Sequence, residues 1–257
     1  MKTRIITAFA LILVLVPIMY FCGIAFTALS TVFGFLAGYE IVRLFNDKCP
    51  KWVRMLIPVI FAVSALSMNY LGNYMLQEIC VFLIFLLTVL IWNENVHFDE
   101  IGIVFMVYVF MVVVIATVVR LHEVDPLLIF MVLFATYFTD TFALFGGMAF
   151  GRHKLNERIS PNKTIEGSVC GYIMGAAVSL VFGLVFIKEV SKPFIIASCL
   201  IMPLTGQMGD LAFSAIKRYF KVKDFGTIFP GHGGVLDRID SALFNITVAF
   251  VLASVLL

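Results

Sequence analysis

Residues 101–119 read IGIVFMVYVFMVVVIATVV, nineteen positions without a charged side chain. An α-helix rises about 1.5 Å per residue, so a run of this length nearly spans the roughly 30 Å hydrocarbon core of a bilayer. Comparable apolar runs lie at about 5–21, 23–42, 54–71, 77–92, 127–149, 167–187, 193–213 and 240–257. The chain is 62% hydrophobic and 13% charged, with a mean hydropathy of +1.06. Ordinary soluble domains are only about 45–50% apolar, so that class is excluded. The predicted fold is all-α: a polytopic integral membrane bundle of about nine transmembrane helices in one continuous membrane domain. Residues 1–125 read as scaffold helices and 126–257 as the region that carries the chemistry. The first run follows Lys2 and Arg4, but no A-x-A site succeeds it and a second span begins at once, so it reads as a retained helix rather than a secretory signal.

Charge placement sets the expected orientation, because Lys and Arg accumulate in cytoplasmic loops. With the N-terminus inside, fifteen of the 18 basic residues fall on the cytoplasmic side, and only Arg120, Lys188 and Lys192 fall outside. The site is therefore expected to face the cytoplasm. The basic rim suits anionic headgroups or nucleotides, and nucleic acid is not an expected partner. Cys22, Cys49, Cys80, Cys170 and Cys199 are scattered, without a C-x-x-C pair, and read as small core residues. Cys49, in a cytoplasmic loop on this map, is expected to react with an impermeant thiol reagent from that side. The four histidines lack metal-binding spacing.

Carboxylates inside apolar segments ask for a reason, since each costs about 2.5–3.5 kcal/mol at a helix centre. Asp140 lies deep in the sixth segment and could pair structurally, ligate a cation or orient a substrate. The loop after it, GRHKLNERISPNKTIEG at 151–167, is basic and reads as a phosphate-facing lid, with Lys163 and Thr164 its best candidates. Glu40, near the inner end of the second segment, reads as a snorkelling interfacial acid. In the eighth segment Asp210, Ser214 and Lys217 fall at i, i+4 and i+7, on one helical face. Asp237 and Ser241 repeat the i, i+4 relation at the start of the ninth, with Asp240 one turn from Asp237. Between these helices Gly226, Gly231, Gly233 and Gly234 can expose backbone N–H groups to an anion just before a helix N-terminus. His232-Gly233 stand where a P-loop needs Lys-Ser/Thr, so this is no Walker A motif. Converging carboxylates here would make an oxygen-rich pocket of the kind hard cations such as Mg²⁺ use.

The stretch from Ser214 to Asp240, SAIKRYFKVKDFGTIFPGHGGVLDRID, carries the spacing S-x-x-K-R-x4-K-D-x-G-x-x-F-P-G-H-G-G-x-x-D-R-x-D. That pattern resembles the signature of the phosphatidate cytidylyltransferase, or CDP-diacylglycerol synthase, family. Phe150-Gly151-Arg152 and Ser160–Gly167 are similar to a second motif region of that family, so the resemblance covers about the last 130 residues. Phe142, Leu144 and Ile165 depart from it, and no charged or hydroxyl residue of the motif is missing.

The resemblance implies a nucleotidyltransferase of phospholipid biosynthesis that makes CDP-diacylglycerol and pyrophosphate from CTP and phosphatidic acid. It implies Asp210 and Asp237 as Mg²⁺ ligands, Lys217 as the group that neutralises phosphate charge, and Ser214 beside the metal. Substrate contacts are expected from Lys163, Thr164, Arg218, Lys223, His232, Gly233, Gly234, Arg238 and Asp140. A second cation such as K⁺ and a homodimer are implied by the family alone. Two rivals stay open: a CTP-dependent lipid or polyprenol kinase, which would release CDP, and a cation-coupled transporter using Asp140 and Asp210.

Overall fold

A computed structural model describes residues 13, 15–45, 49–229 and 233–257. Eight helices among them are long and apolar enough to cross a membrane. They are α1 (Gly23–Arg43), α2 (Lys51–Met68), α3 (Met75–Trp92), α4 (Phe98–Val124), α5 (Leu127–Phe150), α6 (Ile165–Phe186), α7 (Lys192–Tyr219) and α8 (Leu236–Leu256). The expected run at 5–21 lies mostly outside the described residues, but residues 15–21 are helical. Cys22, with φ of 49°, ends that helix, and Gly23, with φ of 62°, opens α1. The expected all-α membrane bundle is present, with one β-hairpin added: β1 (Lys154–Asn156) pairs antiparallel with β2 (Ser160–Thr164) between α5 and α6.

The chain divides into two compact units, one of Met1–Val119 with Lys223–Arg238 and the other of Arg120–Val222 with Ile239–Leu257. In the first, α1 and α2 approach through small residues. A Cβ on Gly34 would stand 2.8 Å from the Phe61 carbonyl oxygen, and one on Gly38 would stand 2.9 Å from Cα of Pro58. Phe61, Phe82 and Tyr108 form the aromatic centre, with Phe82 and Tyr108 ring centroids 3.9 Å apart. The Tyr108 hydroxyl, which could not remain unpaired among apolar groups, lies 2.7 Å from the Ser64 hydroxyl.

In the second unit, α5 and α6 pack along Gly167, Gly171 and Gly175, spaced four apart on one helical face and all buried. A Cβ at Gly171 would meet the Thr139 carbonyl oxygen at 2.5 Å, and one at Gly175 would collide with the Thr139 hydroxyl. Membrane helices lack a hydrophobic drive to associate, so close approach through small residues supplies the contact. Polar bonds reinforce it. Asn245 of α8 donates to the Thr136 hydroxyl on α5 at 2.8 Å and accepts from Thr205 on α7 at 2.9 Å. The end of α7 is closed by two bonds, Val222 N–H to the Lys217 carbonyl at 2.9 Å and Lys221 N–H to the Arg218 carbonyl at 3.1 Å. That is a Schellman cap, and Lys221 holds its left-handed position at φ 56°.

Candidate active site

The basic segment between α5 and α6 is a hairpin tied at its base. Thr164 is the N-cap of α6, its hydroxyl oxygen accepting the Gly167 N–H at 3.1 Å. The Glu166 carboxylate accepts the backbone N–H groups of Arg152 at 3.0 Å and His153 at 3.2 Å, and pairs with the His153 ring at 2.6 Å. Glu166 was absent from the expected site residues. Pro161 stands outside the ladder's paired positions, which are Lys154 with Thr164 and Asn156 with Ser160, as proline in a strand requires. The pairing places Lys163 so that its ammonium donates to the Asp210 carboxylate.

Asp210 opens the face of α7 that continues through Ser214 and Lys217. Its Oδ1 accepts a hydrogen bond from Ser214 at 3.3 Å, and Lys217, two turns further on, is only 9% exposed. Asp240 of α8 lies within electrostatic reach of Asp210, Lys217 and Asp140. The second unit therefore gathers three carboxyl groups and two ammonium groups from α5, β2, α7 and α8. Asp240 was noted in the sequence only as a neighbour of Asp237, and its distance from Asp210 along the chain hid this relation. Arg218 is exposed and donates to the Ile159 and Val222 carbonyls, both at 3.3 Å, which ties the hairpin turn to the end of α7.

The glycine-rich turn belongs to the first unit. Asp237, 8% exposed, accepts through Oδ2 the N–H of Gly234 at 3.0 Å and of Phe225 at 2.8 Å, drawing the ends of the turn together. Phe229 and Gly233 pair within it, and Gly233 has φ of +82°, a conformation L side chains rarely adopt. Glu40 corrects the sequence expectation. It does not snorkel to the interface but is 1% exposed, and its two oxygens accept the N–H groups of Val235 at 2.8 Å and Leu236 at 2.9 Å, the first donors of α8. Its partners stand some 195 positions away in sequence, so no local signal announced them. Lys223 and Arg238 are exposed, Gly234 is buried, and His232 lies outside the described residues.

The carboxylate set has the donor chemistry of a hard divalent cation site. Among the described residues, no three His, Cys, Asp or Glu converge closely enough to hold a metal ion. Lys163 is the positive charge seen against Asp210.

The chain matches the cytidylyltransferase family over residues 2–256. It is 32% identical to a phosphatidate cytidylyltransferase of Bacillus subtilis over 254 residues, covering 95% of this chain and 94% of that protein. A phosphatidate cytidylyltransferase of Staphylococcus saprophyticus is likewise 32% identical over 254 residues, 95% of each chain. One from Staphylococcus aureus is 47% identical over 109 residues, 42% of each. Together with the full-length match and the eight apolar helices, these relatives make this chain an integral membrane member of the cytidylyltransferase family.

Proposed function

We propose that the chain transfers the cytidylyl group of CTP to phosphatidic acid, leaving CDP-diacylglycerol in the membrane and releasing pyrophosphate. The observation that carries this reading is the cluster of Asp140, Asp210 and Asp240 with Lys163 and Lys217, in a chain of this family. An oxygen of the lipid phosphate attacks the α-phosphorus, and the bond from that phosphorus to the oxygen bridging to the β-phosphate breaks. Both reactants are anionic, so the protein has to offset repulsion and the charge that develops on the departing oxygens. Lys217 is suited to this because a buried ammonium attracts phosphate through a lower effective dielectric than water. Lys163, oriented by Asp210, presents a second positive charge from the hairpin. No general base is required, since the lipid phosphate is already a nucleophile.

The enzyme is proposed to depend on Mg²⁺, with Asp210 and Asp237 as its carboxylates by motif match. That ion would orient the triphosphate and neutralise part of its charge. Thr164, Arg218, Lys223, His232, Gly233, Gly234, Arg238 and Asp140 are assigned to substrate binding on the same ground, and a second cation such as K⁺ and a homodimer are proposed from family membership alone. The N-terminus and the site are proposed to face the cytoplasm.

A pyrophosphate-release assay on purified protein, with CTP and Mg²⁺ and with phosphatidate present or absent, tests the reading. Lipid-dependent pyrophosphate and CDP-lipid are expected. Release of CDP with a phosphorylated lipid would instead identify a kinase, and no turnover under any of these conditions would overturn the proposal.

A further inference from the structure

Glu40 is a buried carboxylate on a helix far from the motif in sequence, yet both of its oxygens are committed to the backbone at the start of α8. Two consecutive donors at a helix N-terminus, where the macrodipole is positive, offset part of the penalty that burial places on a carboxylate. The turn is shaped around this group. A Cβ on Gly226 would lie 2.6 Å from Glu40 Oε1, and one on Gly234 would fall on the carboxylate itself. Neither glycine has a positive φ, so the volume of the carboxylate, rather than backbone conformation, excludes a side chain at both positions. Asp237 grips the same turn from the other side through Phe225 and Gly234.

We infer that Glu40 is a positioning residue: its carboxylate clamps Gly226, Gly234 and the first turn of α8, and thereby fixes where Asp237 stands. Its effect on catalysis rests on the cytidylyl transfer proposed above. Glu40 need touch no substrate, because it acts through the backbone it holds.

Hydrogen exchange on the full-length protein reads the clamp directly. Glu40→Gln keeps the side chain's size but replaces one accepting oxygen with a donor. It is expected to speed exchange across residues 233–238 by about tenfold or more while distant helices keep their protection. In the same preparation kcat should fall about tenfold or more, with the KM for phosphatidate changed less than about threefold. Exchange that stays at the wild-type rate would overturn the clamp, and faster exchange with unchanged kcat would overturn its link to catalysis. Faster exchange in Glu40→Gln together with no cytidylyl transfer by the wild-type protein would overturn the proposed function and leave the clamp standing.

Should Glu40→Gln fold poorly, Gly234→Ala supplies a second reading. Its methyl group displaces the carboxylate, so the single variant should loosen the turn about as much as Glu40→Ala does. Adding it to Glu40→Ala should change exchange by less than about twofold, since the space is then open. Multiplying effects in the double variant would show that the two residues do not act on one another.

Discussion

Asp210 divides its carboxylate between a cation and a hydroxyl, so its charge does two things at once. It holds Lys163 in place and it adds to the potential felt by Asp240. Asp210→Asn keeps the shape and removes the charge. It is expected to lower turnover by on the order of 10²-fold or more, while leaving membrane insertion and the helix content by circular dichroism unchanged. The sequence presents Cys49 as a loop thiol open to a cytoplasmic reagent, whereas it is 5% exposed and shielded from one. Burial, then the charge of Glu100, push its thiol above the ordinary value of 9.0, with Arg54 pulling the other way. A raised folded value means the fold favours the protonated thiol. This contribution is therefore complete below about pH 9, and is lost as pH rises through the folded value. Thermal unfolding in detergent should show stability falling above pH 9, with a shallower fall in Cys49→Ala. Equal slopes would remove Cys49 as the cause.

At the scale of elements, the helices were legible because twenty-odd apolar residues in a row have few alternatives in physical terms, and the structure shifts most of their ends by only a few residues. The polar ends of α4, α7 and α8 run beyond their apolar runs, which is why Asp210, Ser214 and Lys217 share a helix that continues to Tyr219. The hairpin was not legible. Three- and five-residue strands leave little alternation to read, and the basic composition of 151–167 read as a phosphate-facing lid without strands of its own. The contact of Glu40 with Leu236 was hidden for another reason, since pairing across most of the chain leaves no periodic trace.

Lys221 occupies the left-handed position of a helix cap that glycine takes without steric cost, so Lys221→Gly should raise stability by up to about 1 kcal/mol, read as a higher unfolding midpoint. Gly171→Val places branched carbons where the Thr139 carbonyl already stands, and should destabilise by about 1–3 kcal/mol by forcing α5 from α6. An unchanged midpoint in the valine variant would mean the two helices are not packed this closely.

At the scale of the whole molecule, large apolar side chains such as Ile24, Val81 and Ile91 stand well exposed, the reverse of a soluble protein and the arrangement a lipid solvent requires. Orientation is read from charge alone, and Asn162 of β2, exposed on the hairpin, offers a better reporter than Cys49. In intact cells Asn162→Cys should resist an impermeant thiol reagent and become labelled once the membrane is opened. Labelling from outside would reverse the proposed topology. The hairpin also carries a mechanical implication. Its two ends continue from helices locked together by glycine contacts, its base is latched by Glu166, and its turn is tethered through Ile159 to Arg218. It resembles a plank bolted at one end and tied at the other. What freedom the hairpin keeps lies at residues 157–159, where the outer tether is the 3.3 Å bond from Arg218 to the Ile159 carbonyl, while the seat of Lys163 is held from both sides.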